Sequence, residues 1–151
     1  MRLRLRPGQG ARTVLTTPIG RIIDLLTVHA LDDALRVYRE RYRPSARHPA
    51  PYAMIGVNVV VADSDAEARR LFTTTQQGYA LLHRGQRGLQ RPPIDDIEQF
   101  WTPAEKQMAS RMLAVAVVGS PATVRAGLER LLERTRADEL MVVCGVHDET
   151  A

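Results

Sequence analysis

Three places in the 151-residue sequence hold residue types able to do chemistry. Asn58 stands inside the apolar stretch Ile55 to Val61, and an amide held in such a stretch must find hydrogen-bond partners, either on a bound molecule or on a neighbouring strand or loop. Cys144 and His147 follow the last apolar run of the chain. A thiol acts as a nucleophile only when its pKa is lowered, whereas a free cysteine at a strand end more often serves as a small buried hydrophobe. Gly119-Ser120-Pro121 is suited to opening a helix, whose free N–H groups attract anions such as phosphate, although serine before proline is equally an ordinary helix cap. The remaining candidates are weaker. His29, His48 and His83 are scattered without metal-ligand spacing, and Asp95, Asp96 and Glu98 have the pattern of a solvated helix start. The single cysteine excludes an internal disulfide and a cysteine-based metal site within the chain.

Positioning these residues falls to elements that the patterning marks out. Leu31, Ala34, Leu35, Tyr38 and Tyr42 recur at three and four residues, which predicts an amphipathic helix over 31–43 that stops before Pro44. Pro51 to Ala62 is rich in β-branched residues and nearly continuous in hydrophobicity, which predicts a strand buried on both faces. Asp63-Ser64-Asp65 supplies a cap and acidic charge for a helix reaching His83. Residues 84–93, with two glycines and two prolines, read as a loop without strong packing. A short helix through Ile97, Phe100 and Trp101 follows, its aromatic pair suited to anchoring the inserted segment. Thr102-Pro103-Ala104-Glu105 then has the form of a capping box with proline in the first turn, ahead of a helix of about ten residues. Leu113 to Val118 reads as extended, Val124, Leu128, Leu131 and Leu132 share one helical face, and Glu139 to Cys144 reads as a compact buried strand. Strand and helix in alternation predict an α/β fold on a parallel sheet.

Composition narrows the function classes. The chain is 44% hydrophobic and 25% charged, as ordinary globular domains are, and has no apolar run long enough to span a membrane. Its positive start lacks the apolar stretch of a signal peptide, so the expected location is cytoplasmic. The net charge of +4 lies entirely toward the N-terminus: residues 1–50 carry ten arginines against four acids, and residues 51–151 carry eleven basic residues against thirteen acids. All basic residues but Lys106 are arginines, and no nucleic-acid motif accompanies them, which argues against nucleic acid as a partner. Residues 1–28 are set apart as a basic N-terminal arm with turn signals and no sustained helical period.

Four segments, Leu35–Ser45 (LRVYRERYRPS), Tyr52–Glu67 (YAMIGVNVVVADSDAE), Val118–Gly127 (VGSPATVRAG) and Ala137–Val143 (ADELMVV), together resemble the luciferase-like monooxygenases, flavin-dependent oxidoreductases related to bacterial luciferase. Trp101–Glu105 (WTPAE) has counterparts in one subgroup. The resemblance implies that residues 29–151 form the C-terminal part of a (β/α)8 TIM-type barrel, with Pro51–Ala62 and Glu139–Cys144 as its last two principal strands. It implies reduced FMN, or a deazaflavin in some relatives, at the C-terminal ends of the strands, a flavin reductase as redox partner, and oxidation of a small organic substrate with O2. On this basis Asn58, Cys144 and His147 become the candidate flavin or substrate contacts. Two or three parallel strands cannot close a barrel, so the chain alone is expected to be inactive. A truncated or frame-disrupted gene, or a mis-called start, would account for its length. The alternative is a non-catalytic module whose open sheet edges pair with another copy or with a missing barrel half.

Overall fold

The computed structural model describes residues 28–147 except Arg87, so the predicted basic arm lies almost wholly outside the described residues. Four α-helices and three strands alternate: α1 (Val28–Arg41), β1 (Met54–Val61), α2 (Asp65–His83), α3 (Pro103–Met112), β2 (Val117–Gly119), α4 (Pro121–Thr135) and β3 (Glu139–Val143), with a 3-10 turn at Ile97–Gln99. The sheet has the order β2-β1-β3 and both pairs are parallel. Met54 to Asn58 of β1 lie opposite Glu139 to Val143, and Val59 to Val61 lie opposite Val117 to Gly119. The mixed α/β class and the parallel sheet agree with the sequence reading.

Alternation along β1 decides where the core sits. Ile55, Val57 and Val59 are buried, and Val57 and Val59 pack with Val124 and Leu131 of α4 beside Val117, Leu128 and Leu140. Each such side chain taken fully from water contributes about 2 kcal/mol before entropy. Met54 and Gly56, which point the other way, are exposed. The prediction of a strand buried on both faces is therefore corrected: one face of its first half lies open. β3 departs further from the compact buried strand expected, since Met141, Val142 and Val143 are each about half exposed. The cause is its position at the edge of the sheet, with β1 on one side and no strand among the described residues on the other.

The helix starts follow their caps. Ser64 Oγ accepts the Glu67 N–H at 3.1 Å, and Thr102 and Glu105 close the reciprocal capping box. Leu113 to Val118 is mostly not extended. Leu113, Ala114 and Ala116 donate to Ala109, Arg111 and Leu113, so the end of α3 runs on as turns and only Val117–Gly119 pairs as a strand. The segment 84–94 is also better held than its composition suggests. Buried Thr73, Thr74 and Gln77 on α2 bond to Ile94, to the Arg91 carbonyl and to the Pro92 carbonyl. α1 is fixed near the starts of β3 and β1, through Arg39 Nη2, which donates to the Thr135 and Arg136 carbonyls at the end of α4, and through Tyr38, which bonds to Tyr52 ahead of β1.

Gly119, between β2 and α4, has φ +156°, and a Cβ there would lie 2.6 Å from Thr123 Cγ2 and 2.7 Å from Asp65 Oδ1. Gly119→Ala is expected to destabilise the fold by about 2–4 kcal/mol through backbone strain and overpacking. Gly78, in the middle of α2 with open space around it, gives the contrast: Gly78→Ala is expected to stabilise by about 0.5–1 kcal/mol. Urea denaturation of both variants beside the parent checks the pair.

Candidate functional site at the C-terminal ends of the strands

Parallel pairing brings two of the sequence candidates to one end of the sheet. Asn58 lies opposite Val143, the last residue of β3, so the segment Cys144–His147 begins where the β1–β3 ladder stops. α2 fixes that segment, because Thr75 Oγ1 donates to the Gly145 carbonyl at 3.1 Å. Asn58 is partly buried, and its amide makes no side-chain hydrogen bond among the described residues. His147 is partly buried as well, and its Nδ1 is inaccessible to solvent yet without a hydrogen-bond partner among them. An amide and an imidazole with unused bonding capacity at the ends of parallel strands are equipped to orient a polar ligand. Cys144 is exposed rather than a buried hydrophobe, and no hydrogen bond joins it to His147 among the described residues. The physical reason is again the edge: among the described residues no strand pairs with the outer side of β3.

The Gly119-Ser120-Pro121 turn is not free for phosphate. Asp65 Oδ1 accepts the Ser120 N–H at 2.6 Å, so the anion at the start of α4 is the protein's own carboxylate. The Ser120 N–H, then the Thr123 and Ser120 hydroxyls, and least the Arg69 charge hold Asp65 below its ordinary pKa. Ser120 makes no side-chain cap to its helix; its Oγ bonds the Thr123 hydroxyl instead. Sequence alone reads Asp65 only as an acid in the first turn of α2, since its partner lies 55 residues away.

A second electrostatic tie holds the inserted segment. Arg84 Nε and Nη2 donate to the two Glu105 carboxylate oxygens at 2.7 and 3.0 Å, and Nη2 also reaches the Phe100 carbonyl. The same guanidinium lies 4.9 Å from the centre of the Phe100 ring. Phe100 thus serves the anchoring role expected of the aromatic pair, while the Trp101 indole N–H donates to Glu98. Arg84 first, then the Thr102 backbone, pull the Glu105 pKa down to about 2. Asp95 and Glu98 meet Arg70 and Lys106 at exposed positions, as suits a solvated surface.

A separate groove of about 440 Å³ runs between the segment Ala114–Val118 and α4, with Leu131 in its wall and Arg130 and Arg134 at its side. It shares no lining residue with the Asn58–His147 group. Among the described residues no set of three His, Cys, Asp or Glu side chains is grouped to hold a metal, and no helix is long and apolar enough to cross a membrane.

Comparison with known proteins gives the geometry its context. The luciferase-like monooxygenase of Escherichia coli (strain K12) is 43% identical over 121 residues, which is 80% of this chain and 36% of the relative. By sequence, this chain is a homologue of the luciferase-like monooxygenases. YvbT of Bacillus subtilis (strain 168), an uncharacterized protein, is 40% identical over 109 residues, 72% of this chain and 32% of its own length. Among solved structures, that of apo-MsnO8 superimposes with a TM-score of 0.58 at 27% identity, over 80% of this chain and 37% of that one. No family model matches the chain. The chain thus spans about a third of the length of the curated relatives it matches.

Acid titration tests the Arg84–Glu105 tie. Because the folded pKa of Glu105 is lowered, its contribution is complete above the ordinary carboxylate range near 4.5 and is lost as pH falls toward about 2. Glu105→Gln removes that titration. Thermal melts are expected to show the parent more stable than the variant at neutral pH, with the gap closing between pH 4.5 and 2.

Proposed function

We propose that this chain is the C-terminal βα portion of a flavin-dependent, luciferase-like barrel oxidoreductase, that it supplies one wall of the flavin and substrate site, and that it has no monooxygenase activity alone. The observation that carries the reading is the 43% identity to a luciferase-like monooxygenase across 80% of the chain. The parallel strands support it: as the last two principal strands of the barrel, β1 and β3 would bring Asn58, level with the end of β3, and His147, just beyond it, toward the side where such barrels hold their sites.

By themselves these residues do not fit a whole flavin. Asn58 and His147 offer hydrogen bonds to a ring or substrate, but the helix N-terminus available for a phosphate already holds Asp65. Reduced FMN or a deazaflavin would supply the redox chemistry with O2 when bound, with a flavin reductase as the source of the reduced form. The contribution of this chain is to orient and shield, and three strands that cannot close leave the shield one-sided. The substrate class is a small organic molecule, and the soluble cytoplasm is the proposed compartment.

Two measurements test the reading. The purified chain, titrated with oxidised and anaerobically reduced FMN, is expected to show no saturable micromolar binding and, with O2, no turnover; turnover would overturn the claim of inactivity. Replacing the matching third of the Escherichia coli relative by residues 28–147 is expected to give a chimera that binds FMN. In that chimera Asn58→Ala is expected to weaken flavin or substrate binding by about tenfold, the order expected for one lost hydrogen bond in a desolvated site. A folded chimera that binds flavin equally with and without the amide would remove Asn58 from the site.

A further inference from the structure

The groove beside α4 has an apolar wall, the segment Ala114–Val118 with Leu131, and a charged side formed by Arg130 and Arg134. The walls meet at Gly127, where a Cβ would lie 2.5 Å from Val117 Cγ1. α1 leads toward this groove. Its last turns lie at the starts of the strands, where Tyr38 bonds to Tyr52 ahead of β1 and Arg39 donates to the Thr135 and Arg136 carbonyls at the end of α4. α4 begins at the opposite end of the sheet, directly after Gly119, which lies level with the last residue of β1. Asp32 stands beside Arg134, 3.3 Å from its Nε, so the two helices are neighbours at the mouth of the groove. Traced back from Arg39 through Asp32, α1 therefore heads toward the end of the sheet at which α4 starts. Val28 is one helical turn ahead of Asp32, and the chain that precedes it is delivered to the groove.

We propose that residues 19–27 of this same chain occupy the groove, with their apolar side chains against Ala114–Val118 and Leu131 and with Asp24 against Arg130. The segment reads IGRIIDLLT, so five of its nine residues are large and apolar. Burying them on an apolar wall is favourable in proportion to the area taken from water. Charge fits as well. Asp24 is the one acid among residues 1–27, and Arg130 has no acidic partner among the described residues, whereas Arg134 already faces Asp32. Direct attachment to α1 decides between this segment and a separate partner of similar chemistry. A short tether holds it beside the groove at an effective concentration of about a millimolar, well above that of a free competitor.

Cross-linking of the full chain with a short bismaleimide, in a Cys144→Ser background, reads the placement. Asp24→Cys combined with Arg130→Cys is expected to link within one molecule. Asp24→Cys combined with Arg125→Cys is expected to link at least tenfold less, because Arg125 is exposed, does not line the groove and lies on another face of α4. Thermal melts of cysteine-free variants read the energetics. Asp24→Arg and Arg130→Asp are each expected to lower the melting temperature by about 1–3 °C, and the two together to restore it, as a single exposed ion pair would. Replacing Ile22, Ile23, Leu25 and Leu26 by serine is expected to lower it by about 5 °C or more. Equal linking at positions 125 and 130, linking between two molecules in place of within one, or a melting temperature unmoved by the serine replacements would each overturn the proposal.

Discussion

The row Ile55, Val57 and Val59 on β1 is the contact on which the other elements depend. Val57 and Val59 in it are the apolar surface against which α4 packs, and the strand that carries them is the only one hydrogen-bonded on both sides among the described residues. β2 and β3 each hold to the sheet through β1, at successive parts of its length. Without that row, α4 would have no face to cover and the two short strands no ladder to join. The opposite face is open only along the first half of β1, at Met54 and Gly56, while Val60 is buried, and the exposure of β3 follows from its place at the end of the strand order.

Two carboxylates do the work of bringing distant pieces into place. Asp65 ties the start of α2 to the start of α4, and Glu105 ties α3 to the end of α2 through Arg84. Both are better described as charge-assisted hydrogen bonds than as surface ion pairs, since each acts on backbone N–H groups as well as side chains. The exposed pairs, such as Arg125 with Glu129 and Arg36 with Glu40, add little by comparison. The polar side chains Thr73, Thr74 and Gln77 complete the arrangement by donating to the carbonyls of the segment that leads into the insertion, and Thr73 Oγ1 also accepts the Ile94 N–H.

The candidate site lies where the β1–β3 ladder stops. Asn58 lies level with the end of β3, and His147 follows four residues beyond it with its Nδ1 lacking a partner among the described residues. In the relatives, this chain's match covers about a third of the length. Kinship with luciferase-like monooxygenases and the open geometry of the site are therefore consistent with each other.

The sequence by itself determined the elements governed by local physics. Ser64 and Thr102 with Glu105 mark helix starts because caps act within one turn, and the β-branched stretch around Val57 marks a strand because those side chains suit a pleated sheet. The family was legible for a related reason: it is carried by contiguous segments such as 52–67 and 118–127. Tertiary structure alone decided what depends on which element lies beside which. It exposed Met141 to Val143 at an edge that composition reads as core, turned Leu113–Ala116 into the end of a helix, and placed the Asp65 carboxylate where a phosphate was conceivable. Burial, edge position and long-range hydrogen bonds belong to pairs of segments, and no window of sequence contains both members of a pair separated by 55 residues.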